Sequence, residues 1–384
     1  MEKAIYQVEW RCTVSMEKVK LKDICRLING RAYKQEELLD SGKYPVLRVG
    51  NFFSDKVFYY SDLELEEDKY CDNGDLLFAW SASFGPKIWD GEKVIYHYHI
   101  WKMELTDRVN KEFLFYYLFH LSERIKSEGH GGIMIHTTKA EMEEREFNLP
   151  TLEEQIAISE ILNKVMSVID KRKEELSVLD DLIKARFVEM FANWKKKYLA
   201  EPLGEYLQDI TYGFTNPMPD AEEGPWKITA KDVVNGIVNL DTARKTLQES
   251  YDKLTEKSKP QLGDVLLTKD GTLGRTAVVE IEGMCVNQSV AVLRINEKIL
   301  PKYLSILLQM PKYQRDMIAD AGGGTIKHIY ITKVVKMPIV VPSIEEQNTF
   351  LDFVNQVDKS KVAVQKALEQ TQTLFDSLMQ KYFG

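Results

Sequence analysis

His97 and His99 stand two apart within KVIYHYHIWKMEL, residues 93–105, a run whose apolar and aromatic residues read as β-strand. On a strand, side chains at i and i+2 share a face, so the pair is placed to hold a metal ion. No third ligand follows at a recognisable spacing, and the competing reading is a pair of polar or base-contacting strand residues. A phosphate-cradling loop would need G-x-x-x-x-G-K-[ST], because its backbone amides and lysine surround the phosphates. GTLGRT, residues 271–276, lacks both the lysine and the spacing, which disfavours nucleotide hydrolysis. Pro219-Asp220 is followed by no acidic-x-Lys pair, so the carboxylate and lysine set of many metal-dependent nucleases is not visible. No Asn-Pro-Pro-aromatic stretch is present to grip a base flipped out for amino-methylation. Cys12, Cys25, Cys71 and Cys285 are dispersed with no C-x-x-C pair, which argues against a zinc knuckle or disulfide framework and fits a reducing compartment. No Ser, Cys or His constellation stands out as nucleophilic. The chain reads as one that recognises rather than transforms, and no cofactor or metal is expected.

The elements that would carry such recognition need real cores. With 384 residues, 44% hydrophobic and 29% charged, two or three domains are expected, with no compositional case for disorder. No apolar run approaches a membrane span and the start lacks a signal peptide's order, so the expected address is the cytoplasm, with no membrane partner. A net charge of −8 argues against a surface that binds nucleic acid everywhere, since phosphates are neutralised by Lys and Arg. A local positive field is still available in residues 301–341, where Lys302, Lys312, Arg315, Lys327, Lys333 and Lys336 outnumber Asp316 and Asp320.

The chain is written twice. PTLEEQIAI at residues 150–158 returns as PSIEEQNTF at 342–350. GDLLFAWSASFGPK, residues 74–87, lines up without gaps on GDVLLTKDGTLGRT, residues 263–276, and GGIMIHTTK, 131–139, on GGTIKHIYI, 323–331, which sets His136 on His328. LKDICRLINGRAY from Leu21 resembles LGEYLQDITYGFT from Leu203 in apolar spacing and in its glycine. Each half therefore opens with a mixed α/β globule of roughly 150 residues. It holds short β runs (KVIYHYHIWKMEL, VNQSVAVLRI) and a helical stretch before the glycines (KEFLFYYLFHLSERI, PKYLSILLQMPKYQ). Each half then closes with a long helix free of Gly and Pro, over 151–198 and 343–383. Thr151 and Ser343 are N-caps, and Glu154 and Glu346 three residues on complete capping boxes.

Spacings of three and four select Leu162, Val165, Ile169, Arg172, Leu176, Leu179, Ile183, Arg186 and Met190, apolar except at the two arginines. In the second helix they select Val354, Val357, Lys361, Val364, Leu368, Thr371, Phe375, Leu378 and Tyr382, apolar except at Lys361 and Thr371. A narrow seam sustained over about four heptads is a coiled-coil signal, and each helix is the other's natural partner. At 1.5 Å per residue a 40-residue helix is about 60 Å long, a ruler between two globules. Periodicity alone also allows ordinary packing helices or a dimerisation arm.

The twofold plan, the LPTLEEQIAISEIL and VPSIEEQNTFLDFV helix starts, and the GD-[LV]-L turn followed by a Ser/Thr-x-Gly loop resemble the DNA specificity subunit of Type I restriction-modification systems. The resemblance runs from about Met16 to Gly384. It implies two pseudo-symmetric α/β target-recognition domains, residues 16–150 and 199–342, separated by a long antiparallel two-helix coiled coil formed by residues 151–198 and 343–384. It implies no catalysis in this chain, with double-stranded DNA, two methyltransferase subunits and, through the complex, restriction subunits as partners. The positions matching loops that the family sets near DNA are, in the first half, Arg31, Tyr33, Lys34, Arg48, Asn51, Trp80, Ser81, Ser83, Lys87, His136, Thr137 and Lys139. In the second half they are Thr215, Asn216, Lys231, Lys269, Asp270, Thr272, Arg275, Asn287, Gln288, Lys327 and His328. Residues 1–15 have no counterpart before Leu203 and are either an added arm or a start assigned too early. The competing class is a duplicated protein-interaction scaffold with a coiled-coil arm and no DNA contact, and a substrate-binding enzyme is a third.

Overall fold

The near-continuous apolar runs Leu76–Ala79 and Val265–Thr268 are buried along their whole length, as strands covered on both faces must be. A computed structural model describes residues 17–54, 56–81, 84–128, 137–191, 199–234, 236–319 and 328–384, and their contacts divide into two units: Met1–Lys173 with Lys366–Gly384, and Glu174–Gln365. In the first unit an antiparallel sheet runs in the order Cys25–Asn29, Ile100–Leu105, Leu76–Ala79, Gly85–Ile88. Its Leu76, Phe78, Trp101 and Met103 pack on Phe113, Leu114 and Leu118 of the helix Lys111–Glu128. Leu77, Ala79 and Ile100 face Leu47, Val94 and Tyr96 of a second sheet, in which Tyr44–Leu47 and Val94–Tyr96 run parallel.

The second unit repeats this order strand for strand. Leu207–Tyr212, Val290–Ile295, Val265–Thr268 and Thr276–Val278 form the antiparallel sheet. Val265, Leu267, Ala291 and Leu293 pack on Tyr303 and Leu304, while Leu266, Val290 and Val292 face Ile228, Met284 and Val286. There Ala221–Ile228 and Met284–Val286 are the parallel pair. One residue more separates Leu203 from its glycine than separates Leu21 from its own. A bulge between Leu207 and Asp209 absorbs it. Both glycines are required: a Cβ on Gly30 would lie 2.2 Å from the Tyr96 carbonyl oxygen, and one on Gly213 1.7 Å from that of Val286.

Two sequence expectations are corrected. Residues 93–105 are not one strand, because after Tyr96 the chain leaves the parallel ladder, turns through His97, Tyr98 and His99, and enters the antiparallel sheet at Ile100. His97 and His99 therefore do not share a strand face. The helical stretch from Pro301 is also two helices, Pro301–Gln309 and Pro311–Ala319, since Pro311 has no N–H to continue the first.

The repeated PTLEEQ and PSIEEQ stretches start the helices Leu152–Phe191 and Ile344–Phe383. Both capping boxes form: the Thr151 and Ser343 amides donate to Glu154 and Glu346 carboxylates at 3.0 and 3.1 Å, and the reciprocal bonds are 3.4 and 3.3 Å. The glutamines do something the caps cannot. Gln155, fully buried, donates to the carbonyls of Pro150 (2.9 Å) and Arg108 (3.1 Å) and accepts from the Asn110 amide (2.7 Å). Gln347, equally buried, donates to Pro342 (2.9 Å) and Lys298 (3.0 Å) and accepts from Leu300 (2.8 Å). Each long helix is thereby docked onto the loop that starts its own unit's packing helix.

Within the first unit, Leu162 and Ile169, early in the first long helix, cluster with Phe375 and Met379, late in the second. Within the second unit the order is reversed: Ile183 and Phe191 cluster with Phe350, Val354 and Val357, and Lys361 pairs with Asp180 at 2.6 Å. The two helices thus pair antiparallel. None of the seam residues picked out by spacing is exposed, whereas the off-seam Val168, Val178, Val188 and Val362 are. Among the described residues no helix is long and apolar enough to cross a membrane.

Candidate nucleic-acid interface

In each unit the three-residue turn between the two sheets is held by the same pattern of backbone bonds. In the first, the His97 amide donates to Leu47 (2.9 Å), Tyr98 to Arg31 (3.1 Å), and Trp80 to His99 (3.0 Å). In the second, Asn287 donates to Ile228 (3.0 Å), Gln288 to Phe214 (2.8 Å), and Lys269 to Ser289 (2.8 Å). His97-Tyr98-His99 and Asn287-Gln288-Ser289 are therefore equivalent. Because each bond comes from a different loop, the turn gathers loops distant in sequence onto one point.

In the second unit most of the candidate residues meet there. Thr215 and Asn216 follow Phe214 and are exposed. Lys231, exposed, follows Ala230, whose amide donates to Ser289 Oγ at 3.1 Å. The Ile329 amide donates to the Lys269 carbonyl at 2.9 Å and Asp270 bridges His328, which brings in the last loop. Lys269 Nζ lies 2.8 Å from the Asp270 carboxylate and 5.3 Å from the Tyr212 ring centroid, and the other Asp270 oxygen pairs with His328 Nδ1. Burial pushes the Asp270 carboxyl upward, but hydrogen bonds from Lys269 and His328 outweigh it and leave the group below the usual range. Asn287 is spent locally, accepting from the Ser289 amide (3.1 Å) and hydroxyl (2.5 Å). Gln288 is exposed. Thr272 is exposed too, and the Arg275 amide donates to Thr268 Oγ1 at 2.9 Å.

In the first unit the convergence is partial. Arg31, Tyr33, Arg48 and Trp80 surround the turn. Arg31 forks onto Glu37 at 3.0 and 2.7 Å, and Tyr33 stacks on His97 with centroids 6.4 Å apart. Burial raises the Tyr33 phenol. Trp80 Nε1 donates to the Tyr98 carbonyl at 2.9 Å. Lys34 is exposed beside Tyr33. Arg48, Lys56, Tyr59, His97 and His99 line a cavity of about 290 Å³, with the Arg48 guanidinium 5.3 Å from the Tyr59 ring centroid. Burial, then His99 and the Arg48 charge, lower His97 to about 4, so it stands neutral at neutral pH. Burial lowers His99 as well.

Several candidates are used structurally. The Asn51 amide oxygen caps the Arg48 N–H at 2.7 Å, Ser81 and Thr137 are buried, and Lys139 donates to the Leu27 carbonyl at 2.7 Å. Lys87 lines a separate aromatic cleft with Phe84, Trp89 and Phe115 and sits 3.5 Å from Asp90. Ser83, His136 and Lys327 lie outside the described residues. The candidates drawn from sequence left out Tyr98, Lys56, Tyr59, Tyr212 and Ser289, which lie at or beside the turns, and also His97 and His99, read there as a metal pair or as polar or base-contacting strand residues. Among the described residues no group of three or more His, Cys, Asp or Glu is placed to hold a metal ion. Laying IYHYHI over CVNQSV in the repeat is the signal that would have found the turn.

A family model described as the Type I restriction modification DNA specificity domain matches residues 13–179 and 216–371. The Type I restriction enzyme EcoBI specificity subunit of Escherichia coli is 23% identical over 405 residues, spanning 95% of this chain and 85% of that protein. Among solved structures, the Type-I restriction-modification system S subunit from M. genitalium matches at a TM-score of 0.52 and 17% identity over 98% of each chain. A chain from work on complex assembly and conformational transition of the type I R-M system matches at 0.52 and 17%, over 96% of this chain and 97% of that one. At such identities these structures speak for the fold.

Proposed function

The chain belongs to the Type I restriction-modification DNA specificity family, whose members are non-catalytic DNA-recognition subunits, and from that premise we propose how this one divides the work. Each unit reads one half of a split duplex target, with residues 16–150 and 199–342 as the recognition domains and the paired helices as the element that sets the gap. Methyltransferase subunits, two of them, and restriction subunits assemble around it in the cytoplasm. The observation that carries the assignment of the reading surface is the gathering of the Phe214, Ala230 and Lys269 loops onto the turn at residues 287–289, with the His328 loop joined to it through Lys269 and Asp270, matched by the Arg31, Leu47 and Trp80 loops on residues 97–99.

A base edge must be met by side chains on a pinned backbone, while cations on neighbouring loops hold phosphates. The turns provide the first, and Lys231, Lys56 and Arg48 are the cations for the second. Neutral His97 suits a base edge, since an uncharged imidazole both donates and accepts. Methyltransferase subunits alongside would add phosphate contacts that a chain of net charge −8 lacks. The test is binding of the purified chain with its methyltransferase to a randomised duplex library across a salt series. Enrichment of a split sequence, with affinity falling as salt rises, is expected. Salt-insensitive binding without sequence enrichment would refute the reading.

A further inference from the structure

The repeated turn differs between the units only in its side chains, and one of these is left over. Asn287 and Ser289 satisfy each other, the Gln288 backbone is tied to Phe214 at 2.8 Å, and the Gln288 side chain stands exposed with no partner among the described residues. A primary amide at the apex of a pinned turn, with Lys231 and Lys269 on adjoining loops, has the donor and acceptor pair that matches N6 and N7 of adenine in the major groove. Thr215 and Asn216 are also exposed, but no backbone bond among the described residues fixes either of them. The equivalent apex in the first unit is Tyr98, packed among His97, His99 and Trp80 with centroids 4.5, 3.9 and 6.0 Å away. An amide offers a donor and an acceptor together, a phenol a single hydroxyl, so the two apices meet a base edge in different ways.

We propose that the apex residues of the two turns are specificity-determining, with Gln288 reading an adenine in the half-site of the second unit and Tyr98 serving the half-site of the first. This rests on the DNA-recognition reading above and names the base chemistry of its site. The Gln288 side chain is exposed and has no hydrogen-bond or ion-pair partner among the described residues, so its removal acts on recognition and not on folding.

The experiment is selection from a randomised duplex library by the full chain with its methyltransferase, for wild type, Gln288→Ala, Gln288→Glu and Tyr98→Ala. Gln288→Ala is expected to lose preference at one A·T position in one half-site, by about 5- to 150-fold, with the rest of the target unchanged. Gln288→Glu, a pure acceptor, is expected to move that position toward cytosine, whose N4 donates. Tyr98→Ala is expected to relax the other half-site alone. A wild-type target that Gln288→Ala leaves intact, a loss confined to a G·C position, or a loss spread over both half-sites overturns the inference while the DNA-recognition reading stands. If wild type enriches no sequence, both fall.

Discussion

The buried glutamines at the helix starts make a claim that can be measured residue by residue. Replacing Gln155 with Leu keeps the volume near constant but strips the Asn110 amide of its acceptor and the Pro150 and Arg108 carbonyls of a donor. Each stranded buried neutral group costs about 1–3 kcal/mol, and partial rescue by water brings the sum to about 2–4 kcal/mol. Because every 1.4 kcal/mol is tenfold, amides protected through that junction should exchange about 30- to 700-fold faster. Peptide-resolved hydrogen exchange reads this directly. Gln155→Leu should release the Asn110 amide and the first turn of its helix, leaving Leu300 unchanged. Gln347→Leu should release Leu300 and leave Asn110 unchanged. Unaltered Asn110 protection in Gln155→Leu would refute the docking role, and equal effects at both junctions from either variant would show general loosening instead.

Phe375, 2% exposed in the helix seam, should cost ~3–5 kcal/mol on truncation to Ala, read as a loss of thermal stability, whereas Val362→Ala on the outer face should change little. His97, neutral in the fold with its ionisation lowered to about 4, takes up a proton more readily when unfolded. Its contribution to stability should be intact above pH ~6.5, shrink as pH falls toward 4 and change no further below that. His97→Asn should flatten that window in a series of melting curves. Arg275→Ala should weaken binding by ~1–3 kcal/mol at one half-site only, if the guanidinium meets a base bidentately. An equal loss at both half-sites in a binding series with graded targets would speak against it.

What could be read without coordinates is what the chain encodes over three or four residues. Caps such as Thr151 with Glu154, the seam from Leu162 to Met190, and the strand runs with their turn glycines all depend on neighbours within one turn or one pleat. Duplication made each pattern visible twice. The proposed recognition surface is different in kind, because Phe214, Ala230, Lys269 and Ser289 are strangers in sequence until strand pairing brings them together. The same holds for Gln155, whose partner Asn110 lies in another element. Loop residues named by resemblance include Gln288 and Lys231, which stand exposed at or beside the turn, but also Thr137 and Lys139, which the fold uses internally. It passed over Tyr98, because a run of alternating aromatics looks like strand until the change of sheet after Tyr96 breaks it. Periodicity is a local property of the chain, whereas convergence is decided by which strand pairs with which, and only the folded molecule carries that information.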